Sequence, residues 1–236
     1  MEKIIKLIEE IKSYKTNDEL ELIDQQTMLE FLYSYKAKAF DRANNIAHFT
    51  ASAIVVNTNK TKVLFAYHLI YKSFAWLGGH ADGNPDLYQV ALKEAKEESS
   101  LNNLKPFNDK IMSLEVLPVM AHLKKGNIVP NHLHLNVTYV LIANEEDTLK
   151  IKEDENSALA WLEINDLDKY VNEKDMIKIY QKILNRIGKK LISNRREIWI
   201  FYLKVLEMLI LLNKMKYIKF TINHFQKLKR CRLITY

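Results

Sequence analysis

A glycine-rich turn, Gly78-Gly79-His80-Ala81-Asp82-Gly83, leads into a segment that closes on Leu92-Lys93-Glu94-Ala95-Lys96-Glu97-Glu98. No other stretch narrows so sharply what this chain can fold into. If the second segment is helical, Glu94, Glu97 and Glu98 stand at i, i+3 and i+4 and share one face. Three carboxylates on one face repel one another and disfavour the helix unless positive charge sits against them. A hard divalent cation with oxygen ligands meets that need. The plainer reading is a solvated face neutralised by Lys93 and Lys96, and the surrounding pattern decides between the two.

That pattern alternates strands with helices. Residues 1 to about 45 are expected to be helical: Ile4, Ile5, Leu7, Ile8 and Ile11 recur at helical spacing, and a second amphipathic run covers about Asp24 to Phe40. Phe49 to Val56 is the first strand, Asn57-Thr58-Asn59-Lys60 a turn, and Thr61 to His68 the returning hairpin partner. Asn84 is the expected N-cap of the acidic helix, with Pro85 at its first position and Asp86 favoured by the helix dipole. Ser113 to His122, His132 to Ala143 and Ala158 to Glu163 follow as strands, and Asn165 to about Ile187 as a helix. Without a regular βαβ rhythm, this order predicts an α+β fold with a mixed sheet covered by helices.

Charge separates the chain into two parts. The net charge is +6, but Ile187 to Tyr236 carries twelve Lys/Arg against Glu197 and Glu207, which leaves 23 bases and 27 acids in the first 186 residues. The basic character belongs to the tail, so no nucleic-acid partner is expected for the body. Within the tail, Ile198 to Leu212 is apolar apart from Lys204 and Glu207, too short a run for a comfortable membrane span. It reads first as a helix packing on the body, with an interfacial membrane helix as the alternative and a poorly ordered extension as a third reading. The lone Cys231 excludes an intramolecular disulfide. Charges scattered through Met1 to Lys6 do not make a secretory signal, so a cytoplasmic location is expected.

The glycine turn and the Glu-x-x-Glu-Glu helix resemble the Nudix box of pyrophosphohydrolases. With Gly79 as the first glycine of the box, Pro85 stands for its first glutamate and Lys93 for its arginine. Glu94, Glu97 and Glu98 stand for its remaining glutamates, Ser100 for its late glycine and Leu101 for its last apolar residue. Lys93 keeps the charge of arginine but loses its bidentate fork. A glycine at position 100 would end the helix at positive φ, which serine adopts at a cost; Asn102 and Asn103 are candidates to take over that conformation. The likeness extends from about Phe40 to Ile187 through Asp41-Arg42, His48 to Ala53, His132-Leu133-His134, Glu155-Asn156-Ser157 and Trp161. It is similar to a bacterial Nudix subgroup with a GGHADG box.

The resemblance implies a Nudix-type α-β-α sandwich over residues 46–187, with a helical segment at 1–45 and a basic, apolar extension at 188–236. It implies Mg²⁺, with Mn²⁺ able to substitute, bound by Glu97 and Glu98. Glu94 would complete the shell or act as general base, and the Gly78 carbonyl would be a further ligand. His80, Lys93, His132, His134 and Glu155 are the weaker candidates for contact with substrate. The implied reaction is hydrolysis of a diphosphate linkage in a nucleoside diphosphate derivative or a related small metabolite. A non-catalytic nucleotide-binding module of the same fold is the alternative. The oligomeric state stays open, a homodimer among the options.

Six of the seven histidines lie between His48 and His134. His132 and His134 alternate on a strand and share a face, so with His80 or His122 they could bind Zn²⁺ or serve as hydrogen-bonded or substrate-facing groups. His68 reads as structural. Tyr67, Tyr71, Phe74 and Trp76 either fill the core or stack a nucleobase.

Overall fold

The computed structural model describes residues 1–69, 72–124, 126–151 and 156–188. Contacts divide the chain into units Met1–Leu184 and Asn185–Tyr236, and the elements below belong to the first except where residues are numbered beyond it.

Helix α1 (Glu2–Ser13) buries Ile4, Leu7 and Ile11, one stripe of its surface. Helix α2 (Glu19–Tyr35) starts earlier than the apolar pattern suggests, capped by Asp18, whose carboxylate accepts from Glu21 N at 3.0 Å. Its first turns carry Glu21 and Asp24, and both are buried. The helix stops at Lys36, whose φ is +50°, and a 3-10 turn, Lys36–Phe40, then sets Phe40 into the core.

The strands follow: β1 (Ala47–Asn57), β2 (Lys62–His68), β3 (Ser73–Ala75) and β4 (Leu77–His80), then helix α3 (Leu87–Ser99). After it come β5 (Lys105–Pro106), β6 (Ser113–Val119), the short hairpin β7 (His122–Lys124) and β8 (Asn127–Val129), then β9 (His132–Ala143) and β10 (Asn156–Glu163). A 3-10 turn, Ile164–Lys169, and helix α4 (174–188) complete the described chain.

Two sequence expectations change here. The strand from Ser113 ends at Val119, and His122 belongs to the separate β7–β8 hairpin. The helix expected from Asn165 is split, because Asn172 is tied to the β3 loop. Its backbone N–H donates to Ser73 Oγ at 2.9 Å and its side chain to Lys72 O at 2.6 Å.

Among the described residues the main sheet has eight strands in the order β10-β2-β1-β9-β5, with β3 on β2, β4 on β1 and β6 on β9. Strands β1 and β9 run parallel from Ala47↔Leu133 to Asn57↔Ala143, and the other pairs are antiparallel. This is the mixed sheet covered by helices that the element order predicted.

Alternation along β1 allocates the two faces. Phe49, Ala51, Ala53 and Val55 join Leu7, Met28, Leu87 and Ala91 in one core, so α1, α2 and α3 share that side. Phe65, on β2, meets Tyr180 of α4 edge-on at 4.7 Å. His48, Thr50 and Ser52 line an open cleft.

Helix α2 also closes the sheet's β6 edge. Glu21 Oε1 accepts from Leu114 N and Asp24 Oδ2 from Val116 N, both at 3.0 Å. Buried carboxylates thus satisfy edge amides that would otherwise template pairing with another chain. Lys182 Nζ lies 3.4 Å from Glu21 and 3.3 Å from Glu115.

Candidate active site

The glycine turn has two distinct steric jobs. Gly78 pairs with Ser52 across β4 and β1, and a Cβ there would stand 2.5 Å from Ala51 O and 2.8 Å from Ser52 Cα. Only glycine fits against that backbone. At Gly79 a Cβ would lie 2.8 Å from Glu94 Cδ, so the missing side chain leaves the space that the Glu94 carboxylate occupies.

Beyond the strand, Asp82 (φ +47°) and Gly83 (φ +84°) turn the chain toward α3. The turn is held from outside: Arg42 Nε donates to Asp82 Oδ1 at 2.6 Å, Arg42 Nη2 pairs with Asp82 Oδ2, and Gly83 N donates to Phe40 O at 2.8 Å. The guanidinium's hydrogen bond pulls the Asp82 carboxyl below the usual range.

The N-cap of α3 is Asp86, not Asn84. Asn84 Oδ1 accepts from Asp86 N in a local turn, which leaves the Asp86 carboxylate to accept from Gln89 N at 3.3 Å. At the far end Ser100 takes the left-handed conformation itself (φ +60°, ψ +14°), and its N–H donates to Lys96 O. The later asparagines are not needed for the stop.

This frame brings Glu94, Glu97 and Glu98 to one cleft of about 840 Å³. Glu98 is the most enclosed, at 5% exposure; its Oε2 accepts from Gly78 N at 3.0 Å and its Oε1 from Asn156 Nδ2 at 3.3 Å. Gly78, whose carbonyl is a candidate metal ligand, thus also orients a glutamate through its N–H. Asn156, first residue of β10, has no role legible in the sequence beyond its place in the Glu155-Asn156-Ser157 stretch, because nothing local marks it as Glu98's partner. Lys93 Nζ bridges Glu94 Oε1 and Glu97 Oε2, both at 3.1 Å, and these carboxylates raise its pKa, Glu94 foremost.

The cleft floor is polar. Thr50 Oγ1 and Ser52 Oγ donate to Asn136 Oδ1 at 3.0 and 2.8 Å, and Asn136 Nδ2 reaches Thr138 Oγ1 at 3.0 Å. Trp76 and Tyr180, edge-to-face with ring centroids 5.2 Å apart, stand in its wall. Tyr67 and Phe74 pair with each other at 5.3 Å.

The histidines gather at one end of the cleft. His132 Nε2 and His134 Nε2 are 3.1 Å apart, as expected of residues alternating on a strand. His80 joins them, whereas His122 turns its Nδ1 to Met120 O. His48 was not among the sequence candidates, yet its ring centroid lies 4.9–5.1 Å from those of His80, His132 and His134. Burial lowers the pKa of His48, and it pushes His134 down to about 2, His80 adding to the effect.

Glu155, Tyr71 and the extension beyond residue 188 lie outside the described residues. Among the described residues no helix is long and apolar enough to cross a membrane.

The carboxylates fit a hard divalent ion. Their donors are all oxygen, Gly79 clears the space for one of them, two hydrogen bonds aim another, and an ammonium already bridges the pair nearest solvent.

A scan against protein-family models finds no match for this sequence, and neither does a comparison with curated proteins. Solved structures do resemble it. A Caenorhabditis elegans Ap4A hydrolase in a binary complex is 19% identical, over 60% of this chain and 98% of its own, with a TM-score of 0.46. A Nudix-family hydrolase from Clostridium perfringens is 26% identical over 59% and 97%, with a TM-score of 0.44. The Nudix domain of Shewanella oneidensis NrtR, complexed with ADP ribose, is 17% identical over 67% and 97%, also with a TM-score of 0.44. The chain is thus similar, at these modest levels, to proteins of the Nudix family.

Proposed function

We propose that this protein is a Mg²⁺-dependent Nudix hydrolase that cleaves a diphosphate linkage in a nucleoside diphosphate derivative or a related small metabolite. Its working domain is residues 46–187, with the N-terminal helices packed on it. The observation that carries the reading is the convergence of Glu94, Glu97 and Glu98 on one cleft, behind a strand where only glycine fits at Gly78 and the bare Gly79 leaves room for the Glu94 carboxylate.

Glu97 and Glu98 would hold the ion, with Glu94 beside them as a further ligand or as the base that takes the proton from the attacking water. When bound, Mg²⁺ would supply charge neutralisation at the phosphoryl oxygens and an activated water. The chain's own residues do the rest. The Gly78 amide and Asn156 hold Glu98 in one rotamer. Lys93 keeps Glu94 and Glu97 side by side despite their repulsion, and its ammonium adds positive charge where phosphoryl oxygens would arrive. The Thr50–Ser52–Asn136 floor offers polar groups to the substrate, and Trp76 with Tyr180 gives it an aromatic wall suited to a planar group.

The test is release of phosphate or nucleoside monophosphate from a panel of nucleoside diphosphate compounds, with Mg²⁺ and with EDTA, for the full chain and for Glu98→Gln. Metal-dependent turnover that vanishes in a folded Glu98→Gln protein is the expected result. Silence across the panel, with ligand-induced thermal shifts retained, would replace the hydrolase with a nucleotide-binding module.

A further inference from the structure

We propose that His48, His80 and His134 form a second metal site, separate from the glutamates of α3, that binds a zinc-class divalent transition metal through imidazole nitrogens. It does not depend on the hydrolase reading.

The three rings come from three strands locked together by register. His48 lies opposite His134 in the parallel β1–β9 pair, and His80 opposite Thr50 in the β1–β4 pair. One nitrogen from each ring lies within 4.8 Å of the others. A tetrahedral zinc with Zn–N of about 2.0–2.1 Å keeps its nitrogens roughly 3.3–3.4 Å apart, so side-chain torsions need shorten each separation by at most about 1.5 Å. The sheet supplies the rest of the preorganisation.

His48 carries the second observation. It is 3% exposed, and its Nδ1–H donates to Asn44 O at 3.2 Å, which leaves Nε2 as a lone pair. That Nε2 is buried and has no hydrogen-bond partner. A buried polar atom without a partner is uncommon and calls for a ligand. Holding the far ring nitrogen on a backbone carbonyl is also how proteins fix the tautomer and direction of a metal-binding histidine.

His132 extends the arrangement. Its Nδ1–H donates to Pro130 O at 2.9 Å, so its Nε2 is an acceptor facing His134 Nε2. The contact therefore puts the His134 proton on Nε2 and leaves its Nδ1 as the lone pair; a metal taken at Nε2 instead would require that proton to shift to Nδ1, and would leave His132 Nε2 in reach as a fourth donor. Burial keeps His48 and His134 neutral at physiological pH, the form that ligates metals. Nitrogen donors discriminate against Mg²⁺ and favour zinc and its neighbours.

The test uses the full chain, stripped with EDTA and dialysed against low concentrations of Zn²⁺. Bound metal is measured by elemental analysis, and Co²⁺ is then substituted as a visible probe of coordination. One histidine-dependent zinc equivalent per chain is expected, with visible Co²⁺ bands of a low-symmetry nitrogen site. His134→Gln and His80→Asn should each weaken zinc binding by about tenfold or more, while a Glu94→Gln, Glu97→Gln double variant keeps it. His80 is only partly buried, so its variant guards against loss of binding through misfolding, and circular dichroism checks both. Zinc uptake unaffected by either histidine change, uptake abolished by the glutamate changes, or no uptake by the folded wild-type chain would each overturn the proposal.

Discussion

Gly78 and Gly79 are neighbours, yet alanine at each should fail in a different way. At Gly78 the new Cβ meets backbone, 2.5 Å from Ala51 O and 2.8 Å from Ser52 Cα. Both atoms belong to β1, which is bonded to β9 along its whole length and cannot move without disturbing the sheet. Overpacking costs about 1–3 kcal/mol and sometimes more, and a clash with a central strand belongs at the upper end, about 3 kcal/mol. For a domain of this size that is a fall in Tm of roughly 6–12 °C. At Gly79 the three atoms nearest the Cβ all belong to the Glu94 side chain: Cδ at 2.8 Å, with Cγ and Oε2 at 3.0 Å. That side chain can rotate away for about 0.5–1.5 kcal/mol. Alanine's smaller unfolded-state entropy returns about 0.4–1 kcal/mol, so Gly79→Ala should be nearly neutral in stability. Its cost is functional, because the displaced carboxylate leaves the cleft. Urea and thermal unfolding of both variants, with a Mg²⁺ titration of turnover for Gly79→Ala, separate the two effects. The reasoning fails if Gly79→Ala is as unstable as Gly78→Ala, or if it is stable and its Mg²⁺ dependence is unchanged.

Glu98→Gln should lower turnover by orders of magnitude while leaving Tm within a few degrees, since an amide can still accept from Gly78 N; retained activity in the folded variant would remove Glu98 from the metal site. Ser100→Gly should raise stability by up to about 1 kcal/mol, because φ +60° suits glycine; a lower Tm would show that the Ser100 hydroxyl contact with Lys150 O outweighs the relief. Glu21→Ala strips acceptors from Leu114 N, Tyr14 Oη and Ser113 Oγ in a buried site beside Lys182. It should cost about 3 kcal/mol or more, and an unchanged urea midpoint would show that the N-terminal helices are not docked through it.

What the sequence determined by itself was local. The glycine turn and the acidic helix face are set by neighbours along the chain, where helical spacing and glycine's lack of a Cβ have fixed consequences; that Ser100 itself, and not Asn102 or Asn103, takes the positive φ was decided by the fold. The strand pattern of β1 and β9 was legible too, because one face packs on the core and the other lines the cleft, which leaves an alternation of apolar and polar residues. The polar opening of α2 was not: the apolar pattern began only at about Asp24, and nothing in it showed that Glu21 and Asp24 would be buried against the β6 amides. His48 and Asn156 escaped for the same reason. Asn156 meets Glu98 from 58 residues away, and His48 meets His134 only because β1 and β9 run parallel in one register. A carboxylate's or an imidazole's chemistry is written in its residue type, but its partner is chosen by which strands pair. Only the folded sheet brings those groups within bonding distance.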